Sequence, residues 1–227
     1  MHGNEPQSHG TPAALAIDPS LPQCNKKGMA DLHSICVYCG SGFGTDPVFV
    51  QSAGLLGRRI AEEGLGLVYG GGNVGLMGTI ARAALDHGGH VTGIIPEFLK
   101  ARELMIADAQ ELVVVPDMHT RKRLMFEKAD AFVALPGGIG TLEELVEQMT
   151  WAQLGQHRKP ILVANIAGFW DPLIDLLDHM RRGGFVRDGF EVNFLMTGDV
   201  NAIVPMLREA VRKESAEALE GAIEDQF

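Results

Sequence analysis

The sequence predicts an α/β fold: a Rossmann-like doubly wound parallel sheet in a single domain. Three observations point there. Short, continuously apolar runs recur along the chain, bounded by Gly or Pro, as strands buried on both faces require. Stretches of helical period separate most of them, so strand and helix alternate. Glycine is abundant, 28 of 227 residues, and supplies the tight strand-to-helix turns.

Residues 1–32 are rich in Pro, Gly, Ser, His and Asn, hold no sustained period, and are expected to form a flexible N-terminal extension. Met29, just before "ADLHS", is a candidate alternative start. From Ser34 the pattern is regular. The apolar runs are "ICVYC" (35–39), "GLVYG" (66–70), "HVTGIIP" (90–96), "ELVVVP" (111–116), "AFVALP" (131–136) and "PILVAN" (160–165). Helical period fills Phe49 to Glu63, Val74 to His87 and Leu142 to Leu154. Helices near Asp171–Arg182 and Asp199–Lys213 close a domain spanning 33–213, and the acidic tail 214–227 is expected to fray.

Bulk properties exclude several functions. A net charge of −10 opposes a nucleic-acid backbone as partner, because phosphate tracking needs a basic face. It leaves a small anion in a local pocket open. No apolar run reaches the ~20 residues that span a bilayer. The N-terminus lacks the basic and apolar regions of a signal peptide, so a cytoplasmic location is expected. Cys36 and Cys39 lie within a strand, three apart and facing opposite sides. A redox pair sits at a helix start, so these are expected to be reduced and structural.

Ligands of such sheets bind beyond the carboxyl ends of the strands. Three glycine clusters fall there: "CGSGFG" (39–44), "YGGGNVGLMG" (69–78) and "PGGIGT" (136–141). Gly70, Gly72 and Gly75 spell G-x-G-x-x-G, with Glu97 near the end of the next strand, which is the pattern of a dinucleotide site. It occupies the second βα unit, and Pro96 adjoins Glu97. A single glycine loop means a tight turn. Three at one sheet edge, backed by helix N-termini, describe a phosphate site.

Arg121, Lys122 and Arg123 crowd the expected first turn of the helix after Val115, where cations oppose the helix dipole. Surface ion pairs are one explanation. An anion held between this turn and "PGGIGT" is the other, and Arg is suited to clamp phosphate. Thr141 and Glu144 match a T-x-x-E capping box. The apolar stripe Leu142, Leu145, Val146 and Met149 is expected to be the buried face, leaving Glu143, Glu144, Glu147 and Gln148 off it.

Together, "PGGIGTLEE" (136–144), "DMHTRK" (117–122), "YGGGNVGLMG", "YCGSGFG" (38–44) and "TWAQLG" (150–155) resemble the LONELY GUY family. These are cytokinin riboside 5′-monophosphate phosphoribohydrolases, often labelled putative lysine decarboxylases. The resemblance covers roughly residues 33 to 200. It implies a Rossmann-like homodimer that hydrolyses the N-glycosidic bond of a nucleoside 5′-monophosphate. The products are a free base, typically an N6-substituted adenine, and ribose 5-phosphate; no cofactor or metal is implied. Onto this sequence the family's essential arginine and glutamate fall on Arg121 and Glu144. Gly137, Gly138, Gly140 and Thr141 match the phosphate loop, with Lys122 beside it. Glu103 matches a substrate-contacting glutamate, although Ala101 replaces the usual proline, and Thr150 matches a further substrate contact. A generic purine-monophosphate nucleosidase and a non-catalytic nucleotide carrier or sensor are the alternatives. A pyridoxal-phosphate lysine decarboxylase would need a Schiff-base lysine that the sequence does not mark out.

Overall fold

The computed structural model describes residues 31–100, 111–186 and 193–224. Among them, seven strands form one sheet: β1 (Ser34–Tyr38), β2 (Gly66–Tyr69), β3 (His90–Pro96), β4 (Glu111–Val115), β5 (Ala131–Ala134), β6 (Ile161–Ala164) and β7 (Leu195–Thr197). The order is β4-β3-β2-β1-β5-β6-β7, and every neighbouring pair is parallel. The chain winds outward from β1 to β4, then returns to β1's other side to lay down β5. That reversal puts the topological switch point, where such sheets bind ligands, between β1 and β5.

Helices cover both faces, which is why the strands read as unbroken apolar runs. Helix α1 (Pro47–Glu62), α2 (Gly75–Asp86) and α6 (Val200–Glu224) pack on one face over Ile35, Val37, Leu67, Val133 and Leu162. Helix α3 (Met118–Glu127), α4 (Ile139–Gln153) and α5 (Asp171–Arg182) pack on the other over Cys36, Tyr38, Val68, Phe132 and Val163. Each buried Leu, Ile or Val contributes about 1.5–3 kcal/mol, so the two layers supply most of the stability. The strand period of two sends Cys36 and Cys39 to opposite faces. Both are free and buried, and burial pushes both thiols far above their ordinary range, which leaves them unreactive.

Three details depart from expectation. Among the described residues, the core begins at Leu32, which is buried; the Asp130 carboxylate accepts from the His33 and Ser34 amides at 2.8 and 2.9 Å and ties this end to β5. Strand β7 is only three residues long and partly exposed, too short to register as an apolar run. Helix α6 continues to Glu224, carrying the helix into the acidic stretch.

Candidate active site

The loops leaving β1, β2 and β5 are tied to one another. The Gly40 amide donates to the Pro136 carbonyl at 3.1 Å, and the Leu76 amide donates to the Gly40 carbonyl at 3.0 Å. Gly75 has φ +66°, and a Cβ there would stand 2.6 Å from the Gly42 nitrogen. A side chain at Gly70 would run into the Arg121 guanidinium and meet Met77 Sδ at 3.1 Å. Gly70 and Gly75 of the G-x-G-x-x-G pattern are thus accounted for by close approach of protein to protein. The pattern's supposed ribose partner, Glu97, is on the surface with its carboxylate 3.2 Å from Lys100 Nζ.

"PGGIGT" divides differently. A Cβ on Gly137 would lie 2.6 Å from Thr141 Cβ and 2.9 Å from the Gly40 nitrogen. Gly138 and Gly140 meet nothing within 4 Å. One glycine is a packing residue, and two line open space at the start of α4. Helix α4 starts at Ile139 with Gly138 as its N-cap and no side-chain cap. Thr141 is therefore the third helical residue, turned inward against Gly137 and buried. The capping box does not form.

Glu144 is buried too, 8% exposed, and so is Arg121 at 7%. Asp117 caps α3 by accepting from the Thr120 amide at 2.7 Å, which sets Arg121 one turn into the helix, pointing under the loops. Its Nε donates to the Ile94 carbonyl and its Nη2 to the Gly70 carbonyl, both at 3.2 Å. Its Nη1 stands 3.7 Å from Glu144 Oε1. The guanidinium is held by the carbonyl ends of β2 and β3 and faces the carboxylate on α4. Arg's fixed fork makes this possible where a lysine's single ammonium could not.

The other two basic residues have the surface explanation. Lys122 Nζ binds Glu143 at 2.6 Å and Glu147 at 2.8 Å. Burial pulls its pKa down, but these carboxylates outweigh it and leave it raised. Lys122 is thus held against the Glu143 and Glu147 carboxylates on α4. Arg123 pairs with Glu127 within its own helix at 3.3 Å. Thr150 lies on the outer face of α4, exposed, its hydroxyl returning to the Val146 carbonyl at 2.7 Å. Within one chain it does not join Arg121 and Glu144. Glu103 lies outside the described residues.

The buried face of α4 is Thr141, Glu144, Leu145, Gln148 and Met149, and Val146 is exposed. The helix is thus turned relative to the apolar stripe, with three polar residues inside. An apolar-periodicity reading cannot find them; the T-x₂-E-x₃-Q spacing, which follows one helix face, could have. A cleft of about 660 Å³ lined by His157, Lys159, Asn193, Lys213 and Glu214 opens at the amino ends of β6 and β7, opposite the glycine loops. No group of three or more His, Cys, Asp or Glu among the described residues could hold a metal. No helix among them is long and apolar enough to cross a membrane.

A family model described as "Possible lysine decarboxylase" matches residues 77–206. The cytokinin riboside 5′-monophosphate phosphoribohydrolase LOG of Oryza sativa subsp. japonica is 44% identical over 177 residues, 78% of this chain and 73% of that protein. The phosphoribohydrolase LOG7 of Arabidopsis thaliana is 48% identical over 152 residues, 67% of this chain and 70% of that protein. The chain belongs to the LONELY GUY family. Among solved structures, the molybdenum cofactor binding protein of Rippkaea orientalis superimposes with a TM-score of 0.59 at 23% identity, covering 81% of this chain and 99% of that one. The molybdenum cofactor carrier protein of Chlamydomonas reinhardtii gives 0.61 at 19%, covering 79% and 98%. Those two share the fold. Arg121 and Glu144, onto which the resemblance places the family's arginine and final motif glutamate, are both buried and meet at 3.7 Å.

Proposed function

We propose that this chain hydrolyses the N-glycosidic bond of N6-substituted adenosine 5′-monophosphates, releasing the free base and ribose 5-phosphate. The observation that carries this reading is the buried Arg121–Glu144 pair beside Gly138 and Gly140, where an added Cβ would meet nothing within 4 Å. A phosphate there meets the N-terminal dipole of α4 and its unpaired amides. The ribose then lies toward Glu144, one turn into the helix. As the C1′–N bond lengthens, positive charge gathers on the sugar, and a carboxylate there stabilises it or activates water. Water adds to C1′, the bond electrons leave with the base, and one water proton ends on the base nitrogen. Arg121, fixed by two backbone carbonyls, offsets the site's negative charge without having to move.

Lysine decarboxylation through a Schiff base requires a lysine that can lose its proton. Lys122, next to Arg121, is kept protonated by Glu143 and Glu147, which favours the hydrolase. We also propose a cytoplasmic homodimer. Ile139, Val146 and Leu154 are exposed in one stripe down α4 with Thr150, an apolar strip suited to a second copy. Thr150 would reach a nucleotide only across such an interface.

Incubation with N6-isopentenyl-AMP, its nucleoside and AMP, with free base read by chromatography, tests the reading. The monophosphate is expected to exceed the nucleoside by at least ~100-fold in kcat/KM, since phosphate binding energy orients the ribose. Equal efficiency on the two would remove the phosphate site, release of adenine from AMP at the same rate would broaden the substrate class, and binding without release would leave a carrier.

A further inference from the structure

The cleft of about 660 Å³ at the amino ends of β6 and β7 lies at the opposite sheet edge from the glycine loops, and its cations stand out. Among the described residues, every lysine and arginine has a carboxylate at ion-pair distance except Arg82, Arg158 and Lys159. Arg82 donates instead to the Asn73 side chain. Arg158 and Lys159 are adjacent, and both line the cleft. Arg158 is exposed. Lys159 is half-buried: its Nζ donates to the Phe126 carbonyl at 2.7 Å and stands 3.9 Å from the centre of the Phe126 ring. Burial holds its pKa below the ordinary lysine range, more than the Asp130 and Glu127 carboxylates restore. A partly desolvated ammonium with no carboxylate beside it is unfavourable, and a bound anion would relieve it. The segment that carries the two cations is fixed in place. The Lys159 amide donates to His157 Nδ1 at 3.1 Å, so the ring proton is on Nε2, which faces the Gln148 carbonyl at 3.2 Å. The same ring packs on Phe126 and Phe132, so little ordering remains to be done on binding.

We propose that this cleft is a second ligand site, and that it takes a small phosphate monoester on an apolar body, with the phosphate at Arg158 and Lys159. Two adjacent cations match a phosphate dianion better than the single charge of a carboxylate, and the Arg fork suits its oxygens. The volume falls among small-molecule pockets, roughly 300–1,000 Å³, and is far larger than a bare phosphate ion needs. Phe194, Leu195 and Ala210 give the body an apolar wall. From α6, Lys213 lines the cleft together with Glu214 and Glu217, and Lys213 Nζ is 3.9 Å from Glu217. Those two carboxylates oppose a second or third phosphate, which selects monoesters over di- and triphosphates. None of these residues belongs to the Arg121–Glu144 site, so the inference does not rest on the hydrolase reading.

The probe is phenyl phosphate, which carries one phosphate on a flat apolar ring and has no glycosidic bond to break. Calorimetric titration of the full-length wild type is compared with Arg158→Glu, Lys159→Met and, at the other sheet edge, Gly140→Ala, with a melting curve for each. Arg158 is exposed and has no carboxylate partner among the described residues, so R158E is expected to melt with the wild type. R158E and K159M are each expected to weaken binding by about tenfold or more, since each removes a charge-assisted contact. G140A is expected to retain it. Inorganic phosphate and benzoate, which each lack one half of the probe, are expected to bind about tenfold or more weaker than phenyl phosphate. Unchanged affinity in R158E overturns the proposal, whatever K159M does to the fold. Binding lost in G140A alone also overturns it, by placing the probe at the glycine loops. Benzoate as tight as the probe overturns the choice of phosphate, and inorganic phosphate as tight overturns the apolar body. A wild type that binds none of the three overturns the site itself.

Discussion

Adding one methyl group to each of two glycines in "PGGIGT" should separate packing from binding. At Gly137 the new Cβ would sit 2.6 Å from Thr141 Cβ and 2.9 Å from the Gly40 nitrogen. Neither neighbour can yield easily. Thr141 is buried inside α4, and the Gly40 amide is bonded to the Pro136 carbonyl. Overpacking of this kind costs roughly 1–3 kcal/mol, which in a domain of this size lowers Tm by about 3–10 °C. At Gly140, in the first turn of α4, the Cβ meets nothing within 4 Å. Ala is the better helix former there by up to ~1 kcal/mol, so the fold should be unharmed or slightly strengthened. The open space is where the phosphate is proposed to bind, and a methyl group there should raise KM by about tenfold. Differential scanning fluorimetry with steady-state kinetics on both variants reads the two effects separately. The reasoning fails if Gly137→Ala melts with the wild type, or if Gly140→Ala changes neither Tm nor KM.

Glu144→Gln should lower kcat by about 10²–10⁴ while substrate still binds, because an amide cannot carry the charge or take the proton; near-normal turnover would return Glu144 to a structural part. Arg121→Met should destabilise by about 3–5 kcal/mol, since it strands a buried carboxylate and two carbonyls. Adding Glu144→Gln should recover part of that loss, and urea denaturation of single and double variants that simply add would contradict the pairing. His157 packs against the Phe126 and Phe132 rings, and burial holds its pKa below the ordinary 6.5. A base with a depressed folded pKa gives stability that is complete above 6.5 and lost as pH falls through the folded value. Unfolding free energies between about pH 7.5 and 5 should therefore decline with acid, and His157→Gln should flatten that part of the slope.

The sheet was legible because its strands are apolar on both faces: the run 90–96 became β3 and the stretch 171–182 became α5 with the bounds read from sequence. What escaped was set at long range. The start of α4 was misplaced because Thr141 and Glu144 have capping spacing, whereas the chain turns earlier, at Gly138, and sends both side chains inward. The rotation of α4 followed from Arg121 and the close approach at Gly137, not from its own apolar stripe. The partners of Arg121 are carbonyls 27 and 51 residues away, and carbonyls leave no signature in a sequence. Lys122 was grouped with Arg121 by adjacency, but neighbours on a helix point about 100° apart, and the two diverge into different environments.

The strand order has a consequence for how the molecule is made. While the chain emerges from the ribosome, β1 can pair with β2 as soon as residue 69 is free, yet its other edge waits for residues 131–134. Until then Ile35, Cys36, Val37 and Tyr38, wholly buried in the finished protein, border an open edge able to recruit strands from other chains. The arrival of β5 closes that edge. The same event brings Pro136 to Gly40 and so joins the first and third glycine loops. The half-synthesised chain is both sticky and inert, and one docking step ends both conditions. Variants that weaken the β1–β5 seam should therefore be scarce in cells for two separate reasons, quality control removing the exposed edge and selection removing the dismantled site.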